Sequence, residues 1–150
     1  MILRLIYFAY RVYLFFVRPV QTGVRVMMIK DGQVLLVRQT YIPGWFMPGG
    51  RLKRGETLEA AARREVKEET GAVLGEVSLL GVYTHFKEWK TDHNIVFLSQ
   101  DFTGGELHDD EIAEVRFFQL EALPDDLWPG HRRRIEQFRS GVPGSQFGEW

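Results

Sequence analysis

Cysteine is absent from this chain of 150 residues. That excludes a disulfide-held fold, a thiolate zinc site and a cysteine nucleophile, and it suits a reducing cytoplasm. An excess of one charge is lacking too: 19 Lys and Arg stand against 20 Asp and Glu, for a net charge of −1. No global field therefore draws the chain to nucleic acid, although a local basic patch is still compatible with phosphate binding. No internal repeat and no low-complexity linker interrupts the sequence. What remains, 45% hydrophobic and 26% charged residues, suits one domain long enough to bury a core.

The compositional anomaly is the start. Residues 2–17, ILRLIYFAYRVYLFFV, predict a helix that nothing breaks before Pro19. Arg4, Arg11 and Arg18 recur every seven residues and form one narrow stripe on a surface otherwise apolar and aromatic. Arg11 interrupts the run and no small-residue cleavage site follows, so a signal peptide is not expected. A membrane span is not expected either, because sixteen helical residues reach only about 24 Å against a ~30 Å hydrocarbon core. A helix this apolar needs cover from a second subunit, from its own sheet or from a membrane surface. The expectation is the subunit contact, hence a homodimer. The chain divides accordingly into an N-terminal helix, residues 1–20, and a domain, residues 21–150.

Within that domain, GVRVMMIKDGQVLLVRQ predicts a hairpin about Asp31-Gly32. TYIPGWFMPGG predicts a loop punctuated by Pro43, Gly44, Pro48, Gly49 and Gly50. TLEAAARREVKEET predicts a helix with Thr57 as N-cap and Gly71 just past its end. EVSLLGVYTHF, HNIVFLSQDF and IAEVRFFQL predict strands, with KEWKTD as a polar connection between the first two. PGHRRRIEQFRSG predicts a closing helix, with Ile135 and Phe138 inward and its arginines on an exposed face. Strands on both sides of a helix point to a sheet covered by helices.

Glu65, Glu68 and Glu69 fall at i, i+3 and i+4, so they share one helix face. Three like charges there repel. Taken alone, such a cluster reads as a solvated, salt-bridged surface, or as a hard-cation site. The flanking residues favour the second. Gly50, Glu56, Arg64-Glu65-Val66, Glu68-Glu69 and Gly71-Ala72 stand at fixed spacings over 23 residues. This resembles the Nudix box, G-x5-E-x7-R-E-U-x-E-E-x-G-U with U a bulky aliphatic, departing from it only in the small Ala72. The likeness extends to the hairpin, the aromatic-Pro-Gly-Gly lead-in and the late Glu-Val-Arg-Phe-Phe strand.

The resemblance implies an α/β Nudix fold, an α/β/α sandwich around a mixed sheet. It implies hydrolysis of a pyrophosphate linkage in a nucleoside diphosphate joined to another group X. It implies Mg²⁺, or Mn²⁺ in its place, held by Glu65, Glu68, Glu69 and the carbonyl of Gly49, with Arg64 paired to Glu56 to orient the ligand helix. A further carboxylate is expected from Asp109, Asp110, Glu111 or Glu114, with Glu111 best placed by its distance from Phe117. The general base stays open among Glu65, Glu69 and Glu111. Tyr41, Trp45 and Trp89 are candidates to stack on a base, with Phe46 expected in the core. Arg38, Arg51 and Lys53 are candidates for phosphate oxygens. His85 and His93 lack a second histidine at ligand spacing and read as strand or turn residues. No sequence marker selects X. Two rivals remain: a nucleotide-sensing module without turnover, and a membrane-surface or assembly protein acting through its first helix.

Overall fold

The computed structural model describes residues 2–87, 89–105, 110–141 and 146–150. Helix α1 spans Ile2–Val17 and is followed by β1 (Val20–Lys30) and β2 (Gln33–Gln39). The Asp31-Gly32 turn between them has φ of 50° and 74°, the paired positive values that a type I′ hairpin requires. The lead-in segment is not wholly irregular, since Trp45–Phe46 forms a short β3 against β2. Then come α2 (Leu58–Thr70), β4 (Val73–Leu74), β5 (Ser78–Lys87), β6 (Lys90–Ser99), β7 (Phe102–Thr103), β8 (Ile112–Gln119), α3 (Pro129–Arg139) and β9 (Gln146–Glu149). The polar connection expected at KEWKTD shrinks to its centre, because Lys87 and Lys90 still pair across the β5–β6 hairpin.

The first hairpin is paired only at its closed end, through Ile29–Val34 and Lys30–Gln33. Beyond that the two strands part. β1 runs parallel to β6, which pairs with β5, and β9 adds to β5 in parallel. β2 pairs antiparallel with β8 and β3. The parting would leave β1 with unpaired backbone groups in the interior, a costly state. The segment after β3 fills that edge: the N–H of Val24 donates to the Gly50 carbonyl and that of Val26 to the Pro48 carbonyl, both at 2.9 Å. Backbone need thus fixes the Pro-Gly-Gly segment beside β1.

Alternation along the strands sends side chains to two cores. Val24, Val26, Met28, Leu35 and Val37 pack with Ala61, Ala62 and Val66 of α2. Met27, Ile29, Val34 and Leu36 pack with Ile135 of α3. Two helices on two faces give the α/β/α sandwich. Each such aliphatic side chain, fully buried, contributes about 1.5–3 kcal/mol.

α2 begins where expected: Thr57 accepts the Ala60 N–H at 3.1 Å, and Gly71 ends the helix with φ 69°. α3 departs from expectation on its polar side. His131 and Arg134 are buried with Ile135, and the Arg134 guanidinium lies 4.0 Å from the Tyr83 ring centre. α1 sits apart from both cores. Its Leu14 is buried, Phe15 meets Trp89 edge-on at 5.6 Å, and the Arg11 guanidinium lies 5.1 Å from the same indole. Ile6, Tyr10, Tyr13, Phe16 and Val17 stay exposed. Among the described residues no helix is long and apolar enough to cross a membrane.

Candidate active site

The Pro-Gly-Gly segment passes between β1 and the carboxylate face of α2, and its glycines are required there. A Cβ on Gly49, whose φ is +142°, would lie 2.1 Å from the Val24 carbonyl oxygen. One on Gly50 would lie 2.6 Å from the Glu65 carboxylate. Only bare backbone can come this close to both strand and acid.

Arg64 organises the acids. Its Nε and Nη2 donate to the two oxygens of Glu56 at 2.6 and 2.9 Å. Its Nη1 donates to Glu65 at 2.6 Å and to Glu68 at 3.0 Å, while Nη2 also reaches the Arg51 carbonyl at 3.2 Å. One planar guanidinium therefore ties the loop to two carboxylates of the helix, a fork that lysine cannot reproduce. The Arg64 hydrogen bonds, joined by the Lys53 N–H, hold the Glu56 carboxyl down at about 2. The same acids, Glu56 foremost, hold the Arg64 proton more firmly than usual.

Glu69 is handled differently. It is buried and accepts the Gly49 N–H at 2.8 Å. Burial raises its pKa to about 7, against the opposing pull of that hydrogen bond and of Arg25. Arg25, whose own proton is loosened by burial, donates to the Gly49 carbonyl. Glu68 is half-exposed and lies 3.7 Å from Lys53. Among the described residues no three histidine, aspartate or glutamate side chains converge on one point at metal distance. The physical reason is visible: Arg64 holds Glu65 and Glu68, and Glu69 turns to the glycine loop. The donor set nevertheless fits a hard cation, since it offers carboxylate and carbonyl oxygens and no sulfur or imidazole.

Glu111 begins the turn into β8. Its carbonyl accepts the Thr40 N–H at 2.9 Å, one residue from Gln39, whose side chain bonds Glu69. Asp110 is exposed, and Asp109 lies outside the described residues.

On the other side of Gly50 opens a cavity of about 260 Å³, lined by Arg25, Gly50 and Arg51 at this end. Further in it meets Phe46, Trp128, His131 and Trp150 on one side and Asp92 and Asn94 on the other. Of the residues expected to touch substrate, Arg51 lines this cavity. Tyr41 is exposed on the loop after β2, next to the cavity-lining Ile42. Three expectations are corrected. Trp45 is 1% exposed and sits in the α3-side core between the Arg38 guanidinium and Phe118, so no base can stack on it. Phe46 is buried in the α2-side core, as expected, and also lines the cavity. Trp89 packs under α1, and Arg38 is engaged by Trp45 and by Asp126 at 3.3 Å. His93 Nδ1 lies 3.0 Å from Thr84 Oγ1, whereas His85 lines the cavity. Arg25, Gln39, Asp92, Asn94, Trp128, His131 and Trp150 carry no motif; the register of β1 with β6 and the position of α3 assemble them, and neither is readable locally.

The family model described as NUDIX domain matches residues 19–138. A Bacillus subtilis protein named "Putative 8-oxo-dGTP diphosphatase" is 34% identical over 119 residues, covering 78% of each chain. A Methanocaldococcus jannaschii protein named ADP-ribose pyrophosphatase is 44% identical over 101 residues, covering 63% of this chain and 59% of its own. The crystal structure of a MutT NUDIX hydrolase from Burkholderia pseudomallei superimposes with a TM-score of 0.73 at 29% identity, over 79% of this chain and 97% of that one. With the box, the sandwich and the matched span in agreement, the chain belongs to the Nudix family.

Proposed function

We propose that the chain is a Mg²⁺- or Mn²⁺-dependent hydrolase of the pyrophosphate linkage in a nucleoside diphosphate joined to a group X. The observation that carries this reading is the Arg64 clamp. A guanidinium that fixes Glu56, Glu65 and Glu68 beside a glycine loop is costly to assemble for a mere surface, and Gly50 and Arg51 of that loop line the neighbouring cavity. Glu65, Glu68, Glu69 and the Gly49 carbonyl would hold the cation. Bound there, it would neutralise the diphosphate and ease loss of a proton from water. Arg51 and Arg25 stand at the cavity end nearest the acids, where phosphate oxygens would lie. The reaction joins water oxygen to phosphorus, breaks one P–O bond of the bridge, and returns the water proton to a carboxylate. Glu65, Glu69 and Glu111 are the acceptors within that region.

The names of the two relatives, a putative 8-oxo-dGTP diphosphatase and an ADP-ribose pyrophosphatase, describe this reaction class. The same reading makes the protein cytoplasmic, with a Nudix domain over residues 21–150 and a homodimer formed through the helix in residues 1–20. The test is a panel of nucleoside triphosphates, nucleotide sugars, ADP-ribose, CDP-alcohols and dinucleoside polyphosphates, with phosphate release followed in Mg²⁺ and in EDTA. Metal-dependent release from at least one compound is expected. Tight binding without release anywhere would instead indicate a nucleotide sensor.

A further inference from the structure

The Arg64 clamp accounts for the acids of α2 but not for what lies across Gly50 from them. The cavity there has two unlike walls. One is aromatic. The Phe46 and Trp128 rings lie 5.2 Å apart, and His131 stands edge-on to Phe46 at 5.5 Å and to Trp150 at 4.9 Å. The other is polar and belongs to the mixed sheet. Asp92 on β6 lies opposite His85 on β5 and Gln21 on β1, and Asn94 lies opposite Gly23.

The aromatic wall is held in place on several sides. The Trp128 Nε1–H donates to the Pro43 carbonyl at 2.9 Å, and the Trp150 N–H donates to the Thr84 carbonyl at 2.9 Å. Gly130 leaves room for the indole of Trp150, whose Nε1 would lie 2.2 Å from a Cβ at that position. His131 is fixed as well. It is 3% exposed, and its Nδ1 accepts the Met47 N–H at 3.0 Å. Burial keeps the ring neutral, so the proton sits on Nε2. No described residue accepts that proton, which leaves one oriented donor at the cavity wall.

We infer that this cavity recognises the base of a guanine nucleotide, stacked on Trp128 and Trp150 and read along its edge by Asp92, Asn94 and His131. The inference rests on the reading of the neighbouring acids as a nucleotide pyrophosphohydrolase site. A nucleotide seated this way sends its phosphates past Arg25 and Arg51 towards Glu65, which lies against Gly50. The choice of base follows from donors and acceptors. A carboxylate only accepts, and guanine offers a ring N–H beside an amino group, two parallel donors that suit Asp92. Its O6 and N7 accept, which suits the His131 Nε2–H and the Asn94 amide. Adenine has a ring acceptor where guanine has the N–H, so its lone pair would face the carboxylate. Stacking alone tolerates any base, so the polar wall must supply the discrimination.

The test is binding rather than turnover. The full chain without metal is titrated with GMP, AMP and ribose 5-phosphate, followed by calorimetry and by tryptophan fluorescence. GMP is expected to bind at least about tenfold more tightly than AMP, the size of one well-made edge pairing, and to change the tryptophan emission. Asp92→Asn should abolish the preference for GMP. Trp128→Leu should weaken GMP by about tenfold and shrink the emission change. Equal affinity for GMP and AMP in the native chain overturns the inference, as does equal affinity for GMP and ribose 5-phosphate. A native chain that prefers GMP yet releases phosphate from no nucleotide supports the base site and sinks only the hydrolase reading.

Discussion

The two helices that flank the sheet spend their charges in opposite ways. On α2 the arginine and the acids face each other at the edge of the site, and Arg64 satisfies three carboxylates while staying near solvent. On α3, Arg133, Glu136 and Arg139 stay exposed while two polar side chains turn inward: neutral His131 brackets Met47, and Arg134 lies over Tyr83 with its Nε unpaired among the described residues. The difference teaches where function leaves a mark in sequence. A charged cluster that must converge locally has to be spelled at helical spacing. A cavity wall built by tertiary packing can take one residue from each of several elements.

The sharpest way to break this comparison is to remove a carboxylate from the α2 side. Glu68→Gln should leave folding intact, because Glu68 is half-exposed and serves no core contact. Turnover should fall by more than the about 10–100-fold typical of losing an outer partner of a metal ligand. Phosphate release in Mg²⁺ measures it, and near-native turnover would remove Glu68 from the metal site. By relieving one of three neighbouring negative charges, the same change should not lower the melting temperature without metal.

Arg64 comes next in size. Arg64→Ala should weaken metal binding by about 10–100-fold, since Glu56, Glu65 and Glu68 lose their common anchor. Arg64→Lys should recover only part, as a point charge cannot span Glu56 at both oxygens. Calorimetric titration with Mn²⁺ reads both. Equal affinity in Arg64→Ala and the native chain would contradict the anchoring role.

Protonation of Glu69 gives a subtler handle. Its pKa rises on folding from an ordinary 4.5 to about 7 because burial penalises the charged form. A group of this kind costs nothing below pH 4.5, and its penalty grows as pH rises towards 7, to about 3 kcal/mol at one unit per 1.36 kcal/mol. The metal-free protein should therefore lose stability between those two values relative to Glu69→Gln, measured by thermal melts. Metal needs the deprotonated acid, so Mg²⁺ affinity should fall as pH drops below 7. A Glu69→Gln chain with the same melting profile across that window would show that Glu69 does not titrate there.

Much of this architecture was legible beforehand. Thr57 and Gly71 bound α2, Asp31-Gly32 makes the hairpin turn, and the apolar runs on either side of it mark β1 and β2, because each of these signals is local. The Arg64–Glu56 pair was legible through the family pattern rather than through spacing alone. Three short strands, β3, β4 and β7, escaped notice because two residues are too few to show a period. The burial of Trp45 has the same origin. Trp45 and Phe46 lie in β3, where neighbouring side chains point to opposite faces, so Trp45 enters the α3-side core and Phe46 the α2-side core. Trp150 and His131 escape local reading for a different reason: β9 reaches β5 in parallel from far along the chain, and His131 on α3 meets Met47 across the fold, contacts that nothing near either residue announces.

The smallest effect on chemistry, and the largest on assembly, should come from α1. Leu14 alone of its described side chains is buried, and the helix touches the domain through Phe15 and Arg11 at Trp89. Ile6, Tyr10, Tyr13 and Val17 are spaced by four, three and four residues, so they form one exposed apolar stripe on the helix. The domain itself leaves that stripe uncovered, which removes own-sheet packing as its complete cover. A second copy would offer an identical stripe, and two such stripes facing each other satisfy both at once under two-fold symmetry. Light scattering of the full chain should therefore give twice the monomer mass at micromolar concentration, and deletion of residues 1–18 should give a monomer. The shortened chain should retain phosphate release within about twofold, because every residue of the clamp and of the cavity lies beyond the deletion. A monomeric full chain that floats with anionic liposomes would assign the stripe to a membrane surface instead, and one that stays in solution would reject the dimer without replacing it.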